Sequence, residues 1–281
     1  MSLVQIVFLA MVQGLAELLP VSSSAHVIVA EKLMGLDPSA PEMTFLLVML
    51  HTGTMFAVLY YFWPKWKRLK LEFWKWVILA TGFTGVLGLG LKKLIEKVIL
   101  GRLLGESNAE IEHLFKSLPL ISFSLFLVGL LILFTGLREK KKKSKPLTAK
   151  SAIWIGVVQG LCLPFRGFSR SGATISTAML LGISRELAES FSFALAVVVT
   201  PPVIVLQLIR LLKASNSIHH AGTELGQLLM PGMLGMLFSF IAGLLALRWL
   251  SSWLERGRWK YFGIYCLVAS GIILTLSFMG Y

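Results

Sequence analysis

Residues 151–183 read SAIWIGVVQGLCLPFRGFSRSGATISTAMLLGI, an apolar stretch interrupted by Pro164 and the run RGFSRSG at 166–172. The part before the interruption, 151–165, has 15 residues, and the last part, ISTAMLLGI, has nine. Nine helical residues cover ~14 Å at about 1.5 Å each, half of a hydrocarbon core of ~30 Å. Two full crossings do not fit. A hairpin that enters, breaks and leaves on the same side does, provided protein or a wet cavity surrounds its irregular backbone.

The rest of the chain supplies the membrane. Of 281 residues 56% are hydrophobic and 15% charged, with a mean hydropathy of +0.78; a soluble domain carries about a quarter charged residues. Stretches 44–63, 118–137, 191–209, 228–247 and 261–281, with a shorter one at 76–91, are apolar enough to span. The expected class is therefore an all-α polytopic membrane protein with about six transmembrane helices.

The formal charge of +13 gathers in clusters beside these spans, at 65–75, 138–150 and 248–260. Basic clusters in short loops orient a chain with those loops in the cytoplasm and touch anionic headgroups, so no nucleic-acid partner is expected. Trp63, Trp66, Trp74, Trp76, Trp249, Trp253 and Trp259 fit an interfacial belt. Cys162 and Cys266 have neither metal-ligand nor disulfide spacing and suit small apolar packing roles. MSLVQIVFLA lacks a basic n-region, so no cleaved signal peptide is expected.

The three basic loops on one side impose a parity. Spans 191–209 and 228–247 already give an even number of crossings between loops 138–150 and 248–260. Segment 151–183 must then cross twice or not at all, and its length selects the hairpin. The N-terminus has the same build: an apolar helix over 3–19, a break at Pro20 and the serines, and a helix to about 34. Span 44–63 puts this hairpin on the side opposite the basic loops. Val12-Gln13-Gly14-Leu15 recurs as Val158-Gln159-Gly160-Leu161, each followed by a proline and a serine-rich break. The reading is a single membrane domain over 1–281 built as an inverted-topology repeat. Repeat one is about 1–137 with re-entrant 3–34, the basic cytoplasmic loop is 138–150, and repeat two is about 151–281 with re-entrant 151–183. In such folds the broken-helix tips meet within the membrane and build the site.

The two tips differ in chemistry. Gln13 and Glu17 share a helix face ending at Pro20, and a helix restarting near Ser22 or Ser23 carries His26 three residues beyond Ser23. Hydroxyl, imidazole and carboxylate suit nucleophilic or acid–base work. The second tip, Gly167 to Thr174, is an anion cradle. Its glycines let backbone approach a ligand, a helix starting near Ser169 aims its positive end outward, and the Arg170 fork suits phosphate oxygens, with Thr174 at i+4. Gln13 and Gln159 alternatively hold the hairpins together. His51, His113, His219 and His220 show no constellation and read as structural or loop residues. Pro201-Pro202 reads as a kink within a span.

These motifs resemble those of the undecaprenyl-diphosphate phosphatase family of bacitracin-resistance proteins. That family pairs Glu/Gln-x-x-x-Glu leading into Pro-Val-Ser-Ser-x-x-His with Pro-Gly-x-Ser-Arg-Ser-x-x-Thr. The first stands here as Gln13, Glu17, Pro20, Val21, Ser22, Ser23 and His26, the second as Gly167, Ser169, Arg170, Ser171 and Thr174. The stretch 179–202 also looks like the family. Arg166 stands where the family usually has proline, either as a second anion ligand or as a peripheral charge. Gln13 is a variant the family allows, which weakens a grip of two carboxylates on one metal ion.

The resemblance implies a bacterial cytoplasmic (inner) membrane phosphatase that converts undecaprenyl diphosphate to undecaprenyl phosphate for cell-wall synthesis, its site facing the outer side. It implies catalytic Ser23, His26, Glu17 and Arg170, with Gln13, Ser22, Gly167, Ser169, Ser171 and Thr174 binding substrate. Ser23 activated by His26 is the preferred nucleophile, and His26 attacking directly is the rival. The family is stimulated by Mg²⁺ or Ca²⁺, for which Glu17 is the protein ligand; the sequence holds no all-protein metal cage. The membrane and the lipid are the expected partners, and a homodimer is compatible with this reading. A lipid-phosphate transporter or flippase of inverted-repeat architecture is the alternative, which needs the cradle but no nucleophile beside a base.

Overall fold

A computed structural model describes residues 1–37, 41–97, 117–138, 144–215 and 221–280. Part of the basic cluster (139–143), His113, His219 and His220 lie outside the described residues. The described residues form ten helices: α1 Leu3–Leu18, α2 Ser23–Leu33, α3 Pro41–Trp66, α4 Leu71–Leu94, α5 Leu118–Arg138, α6 Ala149–Cys162, α7 Arg170–Leu180, α8 Arg185–Ser215, α9 Ala221–Glu255 and α10 Trp259–Phe278. Their starts follow local chemistry. Ser2 and Gln5 form a capping box at α1, Thr148 and Ser151 form one at α6, and the Ser169 side chain caps α7.

Among the described residues six stretches are long and apolar enough to cross a membrane: Met43–Trp66, Leu71–Lys97, Leu118–Arg138, Arg185–Gln207, Leu229–Glu255 and Trp259–Phe278. The second is longer than the expected 76–91. It begins inside the basic cluster, because long charged side chains at a helix end reach the interface while their stems stay apolar. The 248–260 cluster is likewise divided between the end of α9 and the start of α10. α8 continues through Pro201 and Pro202.

The shorter helices pack between the spans. α1 lies on α9, and α6 lies on α4. The repeated glycines explain how closely. A Cβ on Gly14 would stand 2.6 Å from Ala242 Cβ and 2.7 Å from the Ser239 carbonyl oxygen on α9; one on Gly160 would meet Leu87 Cβ at 3.0 Å and the Thr84 carbonyl at 3.1 Å on α4. Beside Gly160, Gln159 donates to the Thr84 hydroxyl at 3.2 Å and serves to hold α6 on α4. α5 packs along α10 with backbone nearly touching backbone: a Cβ on Gly263 would lie 2.6 Å from Leu133 N, and one on Gly136 2.6 Å from Lys260 N.

Two members of the expected tryptophan belt sit in the core instead. Trp66 and Trp259 are buried, and each indole N–H finds a serine inside, Ser190 at 2.9 Å and Ser176 at 3.0 Å. A satisfied N–H is what allows an indole to leave the interface.

Candidate active site

The break between α1 and α2 is a tight turn. Val21 N–H donates to the Leu19 carbonyl at 2.8 Å, and Ser22, the N-cap of α2, takes φ 69° and ψ 95°. Among the described residues it is the one non-glycine with positive φ, a conformation that costs about 1–3 kcal/mol and persists only where its surroundings impose it. The second tip turns through Gly167 at φ 95°, where an added Cβ would strike the Ile121 carbonyl oxygen at 2.3 Å. Only glycine satisfies both demands.

The tips interlock across the two halves of the chain. Gly167 N–H donates to Ser24 Oγ at 3.3 Å, Ser171 Oγ donates to the Leu19 carbonyl at 3.3 Å, and Cys266 Sγ donates to the Pro20 carbonyl at 3.4 Å. The polar ends of α2 and α7 therefore face a common cavity of about 440 Å³. Gln13, Glu17, Ser22, Ser23, Ser169, Arg170 and Ser171 line it. Both helices present their N-terminal turns there, where unpaired amides and the positive end of the helix dipole favour an anion.

Glu17 is the hub. Its Oε1 accepts from Arg170 Nη2 at 3.0 Å; its Oε2 accepts from Ser23 Oγ at 2.5 Å and from Gln13 Nε2 at 3.2 Å. His51, on α3, brings Nε2 to 3.8 Å from the same Oε2, with its Nδ1 bonded to the Leu47 carbonyl at 2.8 Å. Ser169 Oγ accepts from Gly172 N–H at 3.2 Å and lies 3.4 Å from Ser171 Oγ. A serine hydroxyl held on a carboxylate, with a guanidinium beside it, is equipped to move a proton and hold an oxyanion.

Three residues of the expected set lie outside this constellation. His26 turns away from the cavity: Nδ1 meets the Ser22 carbonyl at 2.8 Å, Nε2 meets Tyr265 Oη at 2.7 Å, and the ring stacks on Tyr265. The reason is helical phase. The cavity-lining residues of α2 are Ser23, Ser24, Val27, Ile28 and Glu31, and His26 sits about 130° round the helix from the middle of that stripe. Thr174 is fully buried, donating to the Arg170 carbonyl at 2.8 Å and bonding Ser192 Oγ at 2.6 Å, so it braces α7 on α8. Gly167 shapes the turn without lining the cavity.

Glu31 has no place in the sequence motifs and His51 reads there as a structural or loop residue, yet both line the cavity. Glu31 is 1% exposed, lines the cavity, and has one carboxylate oxygen, Oε1, with no hydrogen-bond partner. Its spacing from Ser23, through Val27 at four-residue steps, was a signal of the shared face. Arg166, whose role the motif left open, lines the same cavity within electrostatic reach of Glu31. His51 belongs to a polar cluster, HTGT at 51–54, inside an otherwise apolar span, and an ionisable residue there is a functional candidate by default.

Residues 6–273 match the family described as "Bacitracin resistance protein BacA". The chain is similar to "Undecaprenyl-diphosphatase 2" of Acinetobacter baylyi, 58% identical over 285 residues and covering 99% of both chains. It is 33% identical to "Undecaprenyl-diphosphatase 2" of Burkholderia ambifaria, over 98% of this chain and 96% of that one. It is 30% identical to "Undecaprenyl-diphosphatase" of Desulfatibacillum aliphaticivorans, over 98% and 99%. With one family matched along nearly its whole length and relatives this similar, the chain belongs to the BacA bacitracin-resistance family.

Proposed function

We propose that the chain is an integral membrane phosphatase that hydrolyses undecaprenyl diphosphate to undecaprenyl phosphate and inorganic phosphate. The full-length relative at 58% identity carries that activity in its name, and six helices suited to spanning a membrane agree with a lipid substrate. The observation that carries the reading is the Glu17 carboxylate, which joins the Ser23 hydroxyl and the Arg170 guanidinium in one cavity.

The chemistry follows from that hub. Ser23 Oγ attacks the terminal phosphorus while Glu17 Oε2 receives its proton. The anhydride P–O bond breaks, undecaprenyl phosphate leaves, and Glu17 passes the proton to the departing oxygen. Water then cleaves the phosphoserine with the same carboxylate as base, and Ser23 regains its hydrogen. One donor of Arg170 is committed to Glu17, and the remaining donors of its five-donor fork serve the equatorial oxygens in the transition state. The converging N-termini of α2 and α7 add oriented amides. His26 as direct nucleophile is disfavoured, because both ring nitrogens are engaged away from the cavity.

A divalent cation, Mg²⁺ or Ca²⁺, fits this cavity only with help from the substrate. Among the described residues no group of three or more His, Cys, Asp or Glu could hold one. The unpartnered oxygen of Glu31, together with Glu17, would hold the ion, and the diphosphate would complete its shell. A bound cation would neutralise the diphosphate charge.

The helical pairs α1–α2 and α6–α7 are read as re-entrant hairpins of an inverted repeat. All four helices are shorter than a span. The packing is consistent with exchange of the halves: α1 on α9 mirrors α6 on α4, while α5 on α10 and α3 on α8 map onto themselves. The resemblance to the family, and not the packing, is what supports a site that opens toward the outer side of a bacterial inner membrane. The same repeat suits a lipid-phosphate carrier, but a carrier has no use for a serine hydroxyl held on a carboxylate. The test is phosphate release from a C55 diphosphate by purified protein in detergent, with and without chelator. Release abolished by Arg170→Ala supports the phosphatase; no release from the unaltered protein removes it.

A further inference from the structure

His26 and Tyr265 form a pair that the mechanism above leaves unused. The Ser22 carbonyl can only accept, so the His26 Nδ1 that meets it at 2.8 Å carries the hydrogen. A neutral imidazole protonated there has its lone pair on Nε2, and Tyr265 Oη, 2.7 Å away, donates to it. The tyrosine hydroxyl thus selects the tautomer. The ring planes lie 13° from parallel with centroids 5.7 Å apart, so stacking fixes the orientation as well.

The clamped atom matters because of what it precedes. Ser22 caps α2 without a side-chain capping bond, and its hydroxyl instead meets Ser24 Oγ at 3.3 Å. Its carbonyl accepts twice from residue 26, from the imidazole and from the backbone N–H at 3.4 Å. Fixing that peptide fixes the start of Ser23, whose Oγ must reach Glu17 Oε2. The neighbour of Tyr265 reinforces the brace from the other side, Cys266 Sγ holding the Pro20 carbonyl. α10, remote in sequence, therefore holds the turn directly at the Pro20 carbonyl and through His26 at the Ser22 carbonyl.

We infer that Tyr265 is a positioning residue for Ser23, acting through the Nδ1-protonated tautomer of His26 and the carbonyl of Ser22. The inference rests on Ser23 being the nucleophile of the phosphatase proposed above.

The test compares Tyr265→Phe, His26→Asn, His26→Ala and the double variant His26→Ala/Tyr265→Phe, as full-length protein in detergent acting on C55 diphosphate. Tyr265→Phe keeps the stacked ring and loses only the hydroxyl. It is expected to lower kcat about tenfold with KM within about twofold, since a displaced Ser23 affects the chemical step rather than binding. The Asn amide can donate to the Ser22 carbonyl as Nδ1 does, so His26→Asn retains at least about tenfold more activity than His26→Ala. Adding Tyr265→Phe to His26→Ala changes nothing further. Unchanged kcat in Tyr265→Phe, independent losses in the double variant, or His26→Asn as inactive as His26→Ala would each overturn the inference. Nitrogen-15 spectra of labelled histidine give a readout independent of activity. The His26 signal, identified by its loss in His26→Asn, should show protonated Nδ1 and an Nε2 shift on Tyr265→Phe. Protonated Nε2 in the unaltered protein sinks the inference even if the chain releases no phosphate at all.

Discussion

Glu17 and Arg170 meet at 3.0 Å although 153 positions separate them, and the same carboxylate holds Ser23 through its other oxygen. One side chain therefore sets the distance between the Ser23 hydroxyl and the Arg170 guanidinium. Their side chains are only 15% and 21% exposed, so an incoming phosphate exchanges partners with groups already withdrawn from bulk water.

Arg170→Ala removes the guanidinium and leaves Glu17 without its cation. Phosphate release should fall by at least ~10²-fold, the scale of losing an oxyanion donor. Arg170→Lys should restore only part of it, because an ammonium keeps the charge and loses the planar fork. Full activity in Arg170→Lys, measured on monodisperse protein, would contradict a role for the planar fork in holding the phosphate.

Ser23→Ala and Glu17→Gln act on one proton transfer. Each should lower kcat by ~10³-fold or more, and the double variant should be little worse than either alone, as for residues that work as a unit. Rapid quenching with labelled substrate should trap phosphate on residue 23 in the unaltered protein and none in Ser23→Ala. Phosphate on residue 26 would transfer the nucleophile to the imidazole.

Glu31→Gln keeps the shape of the cavity wall and removes the charge of a carboxylate whose Oε1 has no hydrogen-bond partner. The Mg²⁺ concentration giving half-maximal turnover should rise about tenfold or more. Mn²⁺ binding followed by electron paramagnetic resonance should weaken in parallel. Identical cation dependence in both proteins would remove Glu31 from the ion's shell.

Gly14→Ala drives a methyl group into Ala242 and the Ser239 carbonyl, and should destabilise the protein by about 1–3 kcal/mol. Gly271→Ala, where an added Cβ meets nothing within 4 Å, is the control. Thermal inactivation temperatures of the two variants should differ, Gly14→Ala falling below the unaltered value and Gly271→Ala lying at or slightly above it, since alanine favours the helix interior.

What could be read from the sequence followed the range of the interactions involved. Gln13 and Glu17 lie one helical turn apart, and Ser169, Arg170 and Ser171 sit at a turn announced by Gly167, so local spacing groups the residues that line the cavity. The pairing of residues 17 and 170 was reachable because the repeated VQGL segment implied that two tips meet. His26 was misplaced relative to Ser23 because i,i+3 spacing tolerates a rotation of the stripe, and only the left-handed turn at Ser22 fixes which face of α2 looks inward. His51 reads as a structural or loop residue in the sequence because its partner, Glu17, comes from a different helix, and no spacing within α3 announces it. Tyr265 escaped for the same reason, at greater remove.

The seam between α5 and α10 carries a last consequence. Backbone approaches backbone so closely at Gly136 and Gly263 that a single methyl group has no room. A fatty chain therefore cannot part these two helices, neither of which lines the cavity, and a lipid tail that stays in the bilayer must leave along the helices that do line it.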